Sequence, residues 1–156
     1  MNIMFFLTPK SEVVYLYEDY SLRQALEKME YHRFGAVPVL NRKGNYVGTL
    51  SEGDLLWNIK DKYAMNMQKA EEIPLSSIER RWHNEPVSIG CNIEDLILTS
   101  MNQNFVPVID DKKIFIGIIT RKDIIQYCYN CYKEVEEMTE RSHEVRENPH
   151  SAAFHR

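Results

Sequence analysis

Several things are scarce in this chain of 156 residues, and each scarcity removes a class of function. No run approaches the roughly eighteen apolar residues that a membrane-spanning helix needs. Basic charge is not in excess: Lys+Arg 19 stand against Asp+Glu 23, for a net charge of −4. No field therefore exists to hold long nucleic acid by counterion release. Cysteine is limited to Cys91, Cys128 and Cys131, an odd number that makes no disulfide framework. Cys128-Tyr129-Asn130-Cys131 has the C-x-x-C form but lies on a predicted helix with no second pair, which is too few ligands for zinc. The five histidines form no H-x-x-x-H grouping, and neither a Walker loop nor a nucleophile elbow occurs. No catalytic or metal residues are assigned, and the protein is expected not to be an enzyme. The apolar opening Ile3–Leu7 has no positive flank and no small-residue cleavage site, so it reads as a segment packing on the domain or on a partner. A soluble, reduced, cytoplasmic protein is the expectation. Hydrophobic residues at 44% beside 27% charged residues fit a globular chain rather than a disordered one. Nine tyrosines suit packing and a subunit contact better than stacking on single strands.

What the chain does contain is a duplication. Val37-Pro38-Val39 and the later Gly48-Thr49-Leu50-Ser51-Glu52-Gly53-Asp54 recur as Val106-Pro107-Val108 and Gly117-Ile118-Ile119-Thr120-Arg121-Lys122-Asp123. The offset between matching residues is constant through this block (107 − 38 = 69, and the same at Gly48/Gly117, Ser51/Thr120 and Asp54/Asp123). A repeated unit that cannot close its own core stacks on its copy, and the seam becomes the natural ligand site.

Each copy reads the same way. The first has a strand at Val13–Leu16, a helix capped by Ser21 with Leu22, Ala25, Leu26 and Met29 on one face, and a strand Ala36–Leu40. A turn over 41–45, a strand Tyr46–Leu50 and a helix from Ser51 through Leu55 and Ile59 complete it. The second copy gives strand Val87–Ile89, a helix from Asn92 through Leu96, strand Phe105–Ile109, a turn over 110–113, strand Ile114–Ile119 and a helix from Thr120. The linker from Lys60 to Glu85 carries Met65 and Met67. It is expected to extend the first copy's last helix and then lie over the paired copies. The final helix is charged and runs to about Arg141, with a frayed tail beyond. The expected boundaries are an apolar segment 1–8, a first repeat 9–60, a connection 61–79, a second repeat 80–129, and a charged helix and tail 130–156.

This doubled order, with Gly-x-x-Ser/Thr-x-x-Asp opening a helix in each copy, resembles the tandem cystathionine-β-synthase (CBS) domain pair, or Bateman module. The resemblance implies an α/β (α+β) fold of two β-α-β-β-α repeats packed as a pseudo-symmetric pair. It further implies a non-catalytic regulatory module that binds an adenosine-containing nucleotide between the repeats and signals by changing repeat or dimer geometry. The partners it implies are a second copy, in a disc of four repeats, and an unidentified regulated protein. AMP, ADP or ATP is the ligand expected, with S-adenosylmethionine or cyclic di-AMP as alternatives, and no cofactor is required. In this family the motif's acid takes the ribose hydroxyls and the nearby hydroxyl residue supports ribose or phosphate. Carried over, Thr120 and Asp123 serve one site while Ser51 and Asp54 serve the other. Adenine lies near Val13-Val14 with Ala36-Val37-Pro38, and near Pro86-Val87 with Phe105-Val106-Pro107.

The chemistry of the residues is compatible with this. An ionised carboxylate accepts both donors of a ribose diol, and a helix N-terminus offers free N–H groups and a positive dipole end to phosphate. The copies are chemically unequal, with Arg121-Lys122 in the second matched by Glu52-Gly53 in the first. Arginine holds phosphate with a bidentate fork and glutamate repels it, which favours the Thr120 motif. Two alternatives stay open. Ser51-x-x-Asp54 and Thr120-x-x-Asp123 also match helix capping boxes, and Arg121 also reads as a solvated helix-start residue. Glu52 at the first motif and the apolar start Ile3–Leu7 would fit a structural dimerisation module with empty or vestigial clefts. The cationic Arg80-Arg81-Trp82-His83 reads first as a solvated turn anchored by Trp82, with approach to a phosphate or base as the alternative.

Overall fold

Proline and glycine set the strand pattern of both copies. In the computed structural model, which describes residues 2–63, 67–80 and 83–147, the chain begins with a 3-10 turn at Ile3–Phe6 and strand β1 (Thr8–Pro9). A second 3-10 turn (Lys10–Glu12), strand β2 (Leu16–Tyr17), helix α1 (Leu22–His32), strands β3 (Ala36–Leu40) and β4 (Tyr46–Ser51) and helix α2 (Glu52–Tyr63) follow. Two further 3-10 turns, Met67–Glu71 and Leu75–Ser77, lead to β5 (Val87–Ser88), α3 (Ile93–Ser100), β6 (Phe105–Ile109), β7 (Phe115–Thr120) and α4 (Arg121–Glu147). The fold class is mixed α/β, with two sheets in the orders β2-β3-β4 and β1-β7-β6-β5.

The hairpins β3–β4 and β6–β7 are antiparallel with matching registers, Pro38 opposite Thr49 and Pro107 opposite Ile118. Each carries an irregularity at the same place, Val39/Leu40 and Val108/Ile109. The parallel ladders start just after the prolines, β2 at Val39 and β5 at Val108. Proline has no N–H to give a neighbouring strand, so the parallel ladder gains no donor there, although each proline still pairs within its antiparallel hairpin. This corrects the expected strand Val13–Leu16: the ladder is Leu16–Tyr17, and Val13 and Val14 stay outside it after the turn that follows Pro9. The expected caps are present. Ser21 and Gln24 make a reciprocal capping box, with Gln24 N donating to Ser21 Oγ at 3.2 Å and Ser21 N to Gln24 Oε1 at 2.9 Å. Asn92 Oδ1 accepts from Asp95 N at 2.8 Å.

The first copy's core is Leu16, Leu22, Ala25, Met29, Val37, Val39, Leu50, Leu55 and Ile59. The linker residues Ile73, Leu75 and Ile78 fold back onto it. Backbone bonds hold that return: Leu22 N donates to Ile73 O at 2.7 Å and Leu75 N to Tyr20 O at 2.8 Å. In the second copy Val87, Leu96, Phe105, Val106, Val108, Phe115 and Ile119 are buried.

The copies meet through residues that are each other's counterparts. Asn45 forms an isolated antiparallel bridge with Ile114, and the ring of Tyr46 stacks on that of Phe115 with centroids 6.4 Å apart. Both pairs are separated by the repeat offset (114 − 45 = 69). A residue beside its own counterpart lies at the rotation axis, so the copies are related by a local two-fold.

Glycines at one repeat position let chain cross between copies. An added Cβ on Gly117 would sit 2.1 Å from Thr8 O, and one on Gly48 would sit 2.7 Å from the Arg80 guanidinium carbon. At the first, β1 pairs antiparallel with β7 (Thr8↔Ile118, Pro9↔Gly117), so the segment preceding the first copy completes the second copy's sheet. Ile3 is fully buried, as a segment packed on the domain requires. At the second, Arg80 Nη2 reaches Val47 O at 3.3 Å. Expected features at Met65, Arg81-Trp82 and the tail from 148 lie outside the described residues. The last helix runs past Arg141 to Glu147, a correction to its expected end. The chain up to Arg121 makes one compact unit and a second begins at Lys122.

Gly117→Ala drives a methyl group into a backbone carbonyl that cannot rotate away. It is expected to destabilise the protein by about 1–3 kcal/mol, read by urea denaturation. Gly48→Ala meets only a long side chain and costs less. Equal losses for both variants would contradict this account of the crossing.

Candidate functional site

The doubled motif lies where each hairpin passes into its final helix. In both copies the first helical N–H is held by the residue just before the proline strand of its hairpin: Glu52 N donates to Gly35 O at 2.9 Å, and Arg121 N to Asn104 O at 3.0 Å. Beyond that bond lies the motif itself. Ser51 N donates to Asp54 Oδ2 at 3.0 Å and Asp54 N to Ser51 Oγ at 3.1 Å, so this pair closes a capping box with aspartate in the place usually held by glutamate. Asp54 is only 2% exposed, and its carboxylate is folded back on the start of its own helix. In the second copy Thr120 ends β7 and Asp123 falls in the first turn of α4. Arg121 Nε donates to Ser100 O at 3.0 Å and Gln103 O at 2.9 Å, which ties it to the end of α3.

Two cavities open between the copies, and each has walls from both. The first, about 250 Å³, is lined by Ala36, Thr49, Ser51 and Asp54 together with Asn84, Asn102, Gln103 and Asn104. Its rim is rich in carboxamides, but Gln103 is already engaged. Gln103 Oε1 accepts from Glu85 N at 2.7 Å, and its Nε2 donates to Glu85 O at 3.0 Å and Phe105 O at 3.2 Å. The second cavity, about 280 Å³, has Val13, Val14, Phe34, Ala36, Val37 and Pro38 on one side, and Asn104, Phe105, Ile118 and Thr120 on the other. Thr8 and Glu12 complete its lining. Apolar walls with a few polar groups suit a planar heterocycle carrying a polar tail.

Of the residues singled out from sequence, Val14, Val37, Pro38, Phe105 and Thr120 come together in the larger cavity, while Ser51 and Asp54 line the smaller. Val87, Val106 and Pro107 are buried and line neither. Phe105 lines the same cavity as the first copy's Val14 and Pro38 because the local two-fold sets the two hairpins facing each other. Phe34, Asn84 and the run Asn102-Gln103-Asn104 were not singled out. Their one sequence signal is position, since 33–35 and 102–104 both lead directly into the proline strands.

The linker contributes Asn84 to the lining of the smaller cavity. Tyr46 Oη donates to Asn84 O at 2.8 Å and lies 2.7 Å from Thr49 Oγ1. Asn58 Nδ2 donates to Glu79 O at 3.0 Å. This is the expected course of the linker over the paired copies. Burial pushes the Tyr46 phenol up to about 12, against a smaller opposing effect from its hydrogen bond with Thr49. Among the described residues no group of three His, Cys, Asp or Glu is placed to hold a metal, and no helix is long and apolar enough to cross a membrane.

The model of the CBS domain matches the chain twice, over residues 6–61 and 83–130. The chain belongs to the CBS-domain family. As a CBS pair it is similar to a CbpB protein solved in complex with cyclic di-AMP, with a TM-score of 0.76, 21% identity, and 88% of this chain and 91% of that one covered. It is also similar to CBSX2 solved in complex with AMP, with a TM-score of 0.65, 22% identity, and 84% and 98% covered. A curated relative, the L-aspartate semialdehyde sulfurtransferase of Methanocaldococcus jannaschii, is 27% identical over 104 residues, 67% of this chain. The chain spans only 19% of that enzyme's length.

Tyr46 gives this CBS pair an alkaline limit. The unfolded phenol ionises near its ordinary value of about 10 and the folded one near 12, so its contribution is complete below pH 10 and is lost as the pH rises towards 12. The difference corresponds to about 2–3 kcal/mol. Tyr46→Phe is expected to flatten the fall in stability between pH 9 and 11.5, measured by urea denaturation. An unchanged slope would contradict the burial of that hydroxyl.

Proposed function

We propose that this CBS pair is a regulatory, non-catalytic module that binds one adenosine-containing nucleotide in the cavity shared by Val14, Val37, Pro38, Phe105 and Thr120. The observation that carries this reading is the cavity's composition: apolar walls from both repeats converge on the hydroxyl that opens the second-copy motif. Adenine occupies the apolar walls, Thr120 supports ribose or phosphate, and Asp123, by its place in the motif, takes the ribose diol. The binding of AMP and of cyclic di-AMP by proteins of the same fold supports an adenine nucleotide. AMP, ADP or ATP is the first choice. A ligand that touches both repeats shifts their angle only by its differential affinity for the two arrangements, and a homodimer of four repeats passes that shift to a regulated protein.

A specific observation favours a second reading for the other cleft. Glu52 stands at the motif position where the second copy has Arg121, and its charge repels phosphate, so the smaller cavity is structural rather than a nucleotide site.

A thermal-shift panel of AMP, ADP, ATP, S-adenosylmethionine, NAD and cyclic di-AMP tests both readings. A ligand at a hundred times its Kd adds about 2.7 kcal/mol, or about 5–10 °C at this size. Asp123→Ala is expected to abolish the shift. Asp54→Ala is expected to lower stability by about 1 kcal/mol, the worth of a helix cap, and to leave the shift intact. No shift from any member, or loss of the shift with Asp54→Ala only, would overturn the assignment.

A further inference from the structure

The CBS match ends at residue 130, but α4 continues to Glu147. The extension has a pattern of its own. Ile125, Tyr132 and Thr139 recur every seven residues, and so do Cys128, Val135 and Ser142, three residues later in each turn of the count. This is the a/d seam of a coiled coil, sustained over a rise of about 26 Å. Every charged residue from 125 to 144 (Lys133, Glu134, Glu136, Glu137, Glu140, Arg141 and Glu144) falls off it. The seam is uncovered: Ile125 is 59% exposed, Tyr132 62% and Val135 58%, and Cys128, Thr139 and Ser142 are exposed too. The two hydroxyls are already satisfied inside the helix, Thr139 Oγ1 donating to Val135 O and Ser142 Oγ to Met138 O, each at 2.8 Å. Covering them leaves no orphaned donor.

We infer that this seam is covered by the same seam of a second copy of the chain, running antiparallel. Two features select that occupant and that direction. Reversed, the seam matches itself in layers of one larger and one smaller side chain: Ile125 on Ser142, Cys128 on Thr139 and Tyr132 on Val135 of the second copy. A parallel pairing stacks Tyr132 on Tyr132 and leaves Ser142 facing Ser142, which packs unevenly. Charge decides in the same sense. The stretch from 134 to 140 holds four glutamates and no cation, whereas 124–132 holds no charge. Antiparallel pairing sets the glutamates beside the uncharged stretch and Lys133 level with Glu134 of the second copy. Parallel pairing sets glutamate beside glutamate. Opposed helix dipoles add to the preference.

The inference identifies an interface for the dimer of the proposed function and rests on that reading only in expecting a dimer. Disulfide trapping in the full chain tests it. One variant keeps Cys128 alone (Cys91→Ser, Cys131→Ser), and another carries Thr139→Cys with Cys91, Cys128 and Cys131 all changed to Ser. Mixed and oxidised, they are expected to give a disulfide between unlike chains, with little between like chains. Like-chain disulfides through Cys128 would show a parallel pair, and the absence of any disulfide would place α4 outside the interface. Either result overturns the inference. As a second readout, Tyr132→Glu lies on an exposed face and is expected to keep the native circular dichroism while raising the dimer Kd at least tenfold by sedimentation. A dimer unchanged by Tyr132→Glu refutes the α4 interface and leaves nucleotide binding, read separately by thermal shift, as it was.

Discussion

Everything in this structure depends on how the two copies touch, at a seam where Asn45 and Tyr46 meet their own counterparts Ile114 and Phe115. The contact is small but geometrically strict. Phe115 N donates to Gly44 O at 2.9 Å and Asn45 Nδ2 to Lys113 O at 3.0 Å, so the turn of one hairpin is bonded to the turn of the other. Fixing two copies at such an axis brings the start of each proline strand opposite the end of the other copy's hairpin. Cavities walled by both copies follow from this. Crossing chain reinforces the arrangement, since β1 belongs to the second copy's sheet while Arg80 lies on the first copy's.

The two halves have diverged within that symmetry. Gly44 turns with φ 86°, and its counterpart Lys113 takes φ 63° with a side chain, at some conformational cost. Glu52 answers to Arg121 and Gly35 to Asn104, although the backbone bond between each pair is the same in both copies. Conserving a backbone bond while inverting the charge beside it preserves the fold and changes what each cleft can hold.

Much of the fold could be read from the residues because duplication supplies an internal control. A constant offset across Pro38/Pro107 and Asp54/Asp123 excludes coincidence, and the caps at Ser21 and Asn92 are local signals that tertiary context did not override. What escaped the sequence was nonlocal. A ladder of two residues, as in β1 and β2, has no periodicity to detect, and Val13-Val14-Tyr15 reads as strand on composition although the proline in β3 denies it a partner. The end of α4 was placed too early because its charged surface resembles a fraying helix. In the site, the apolar wall was legible residue by residue, but its assembly was not. That Phe105 faces Val14 and Pro38 requires knowing the axis.

We hold that the two-fold pairing of the repeats leaves one cleft fit for a nucleotide. Calorimetric titration of the intact chain with the tightest-binding adenine nucleotide measures this directly through its stoichiometry. One nucleotide per chain is predicted, whereas two equivalent nucleotides per chain, or none, would contradict it.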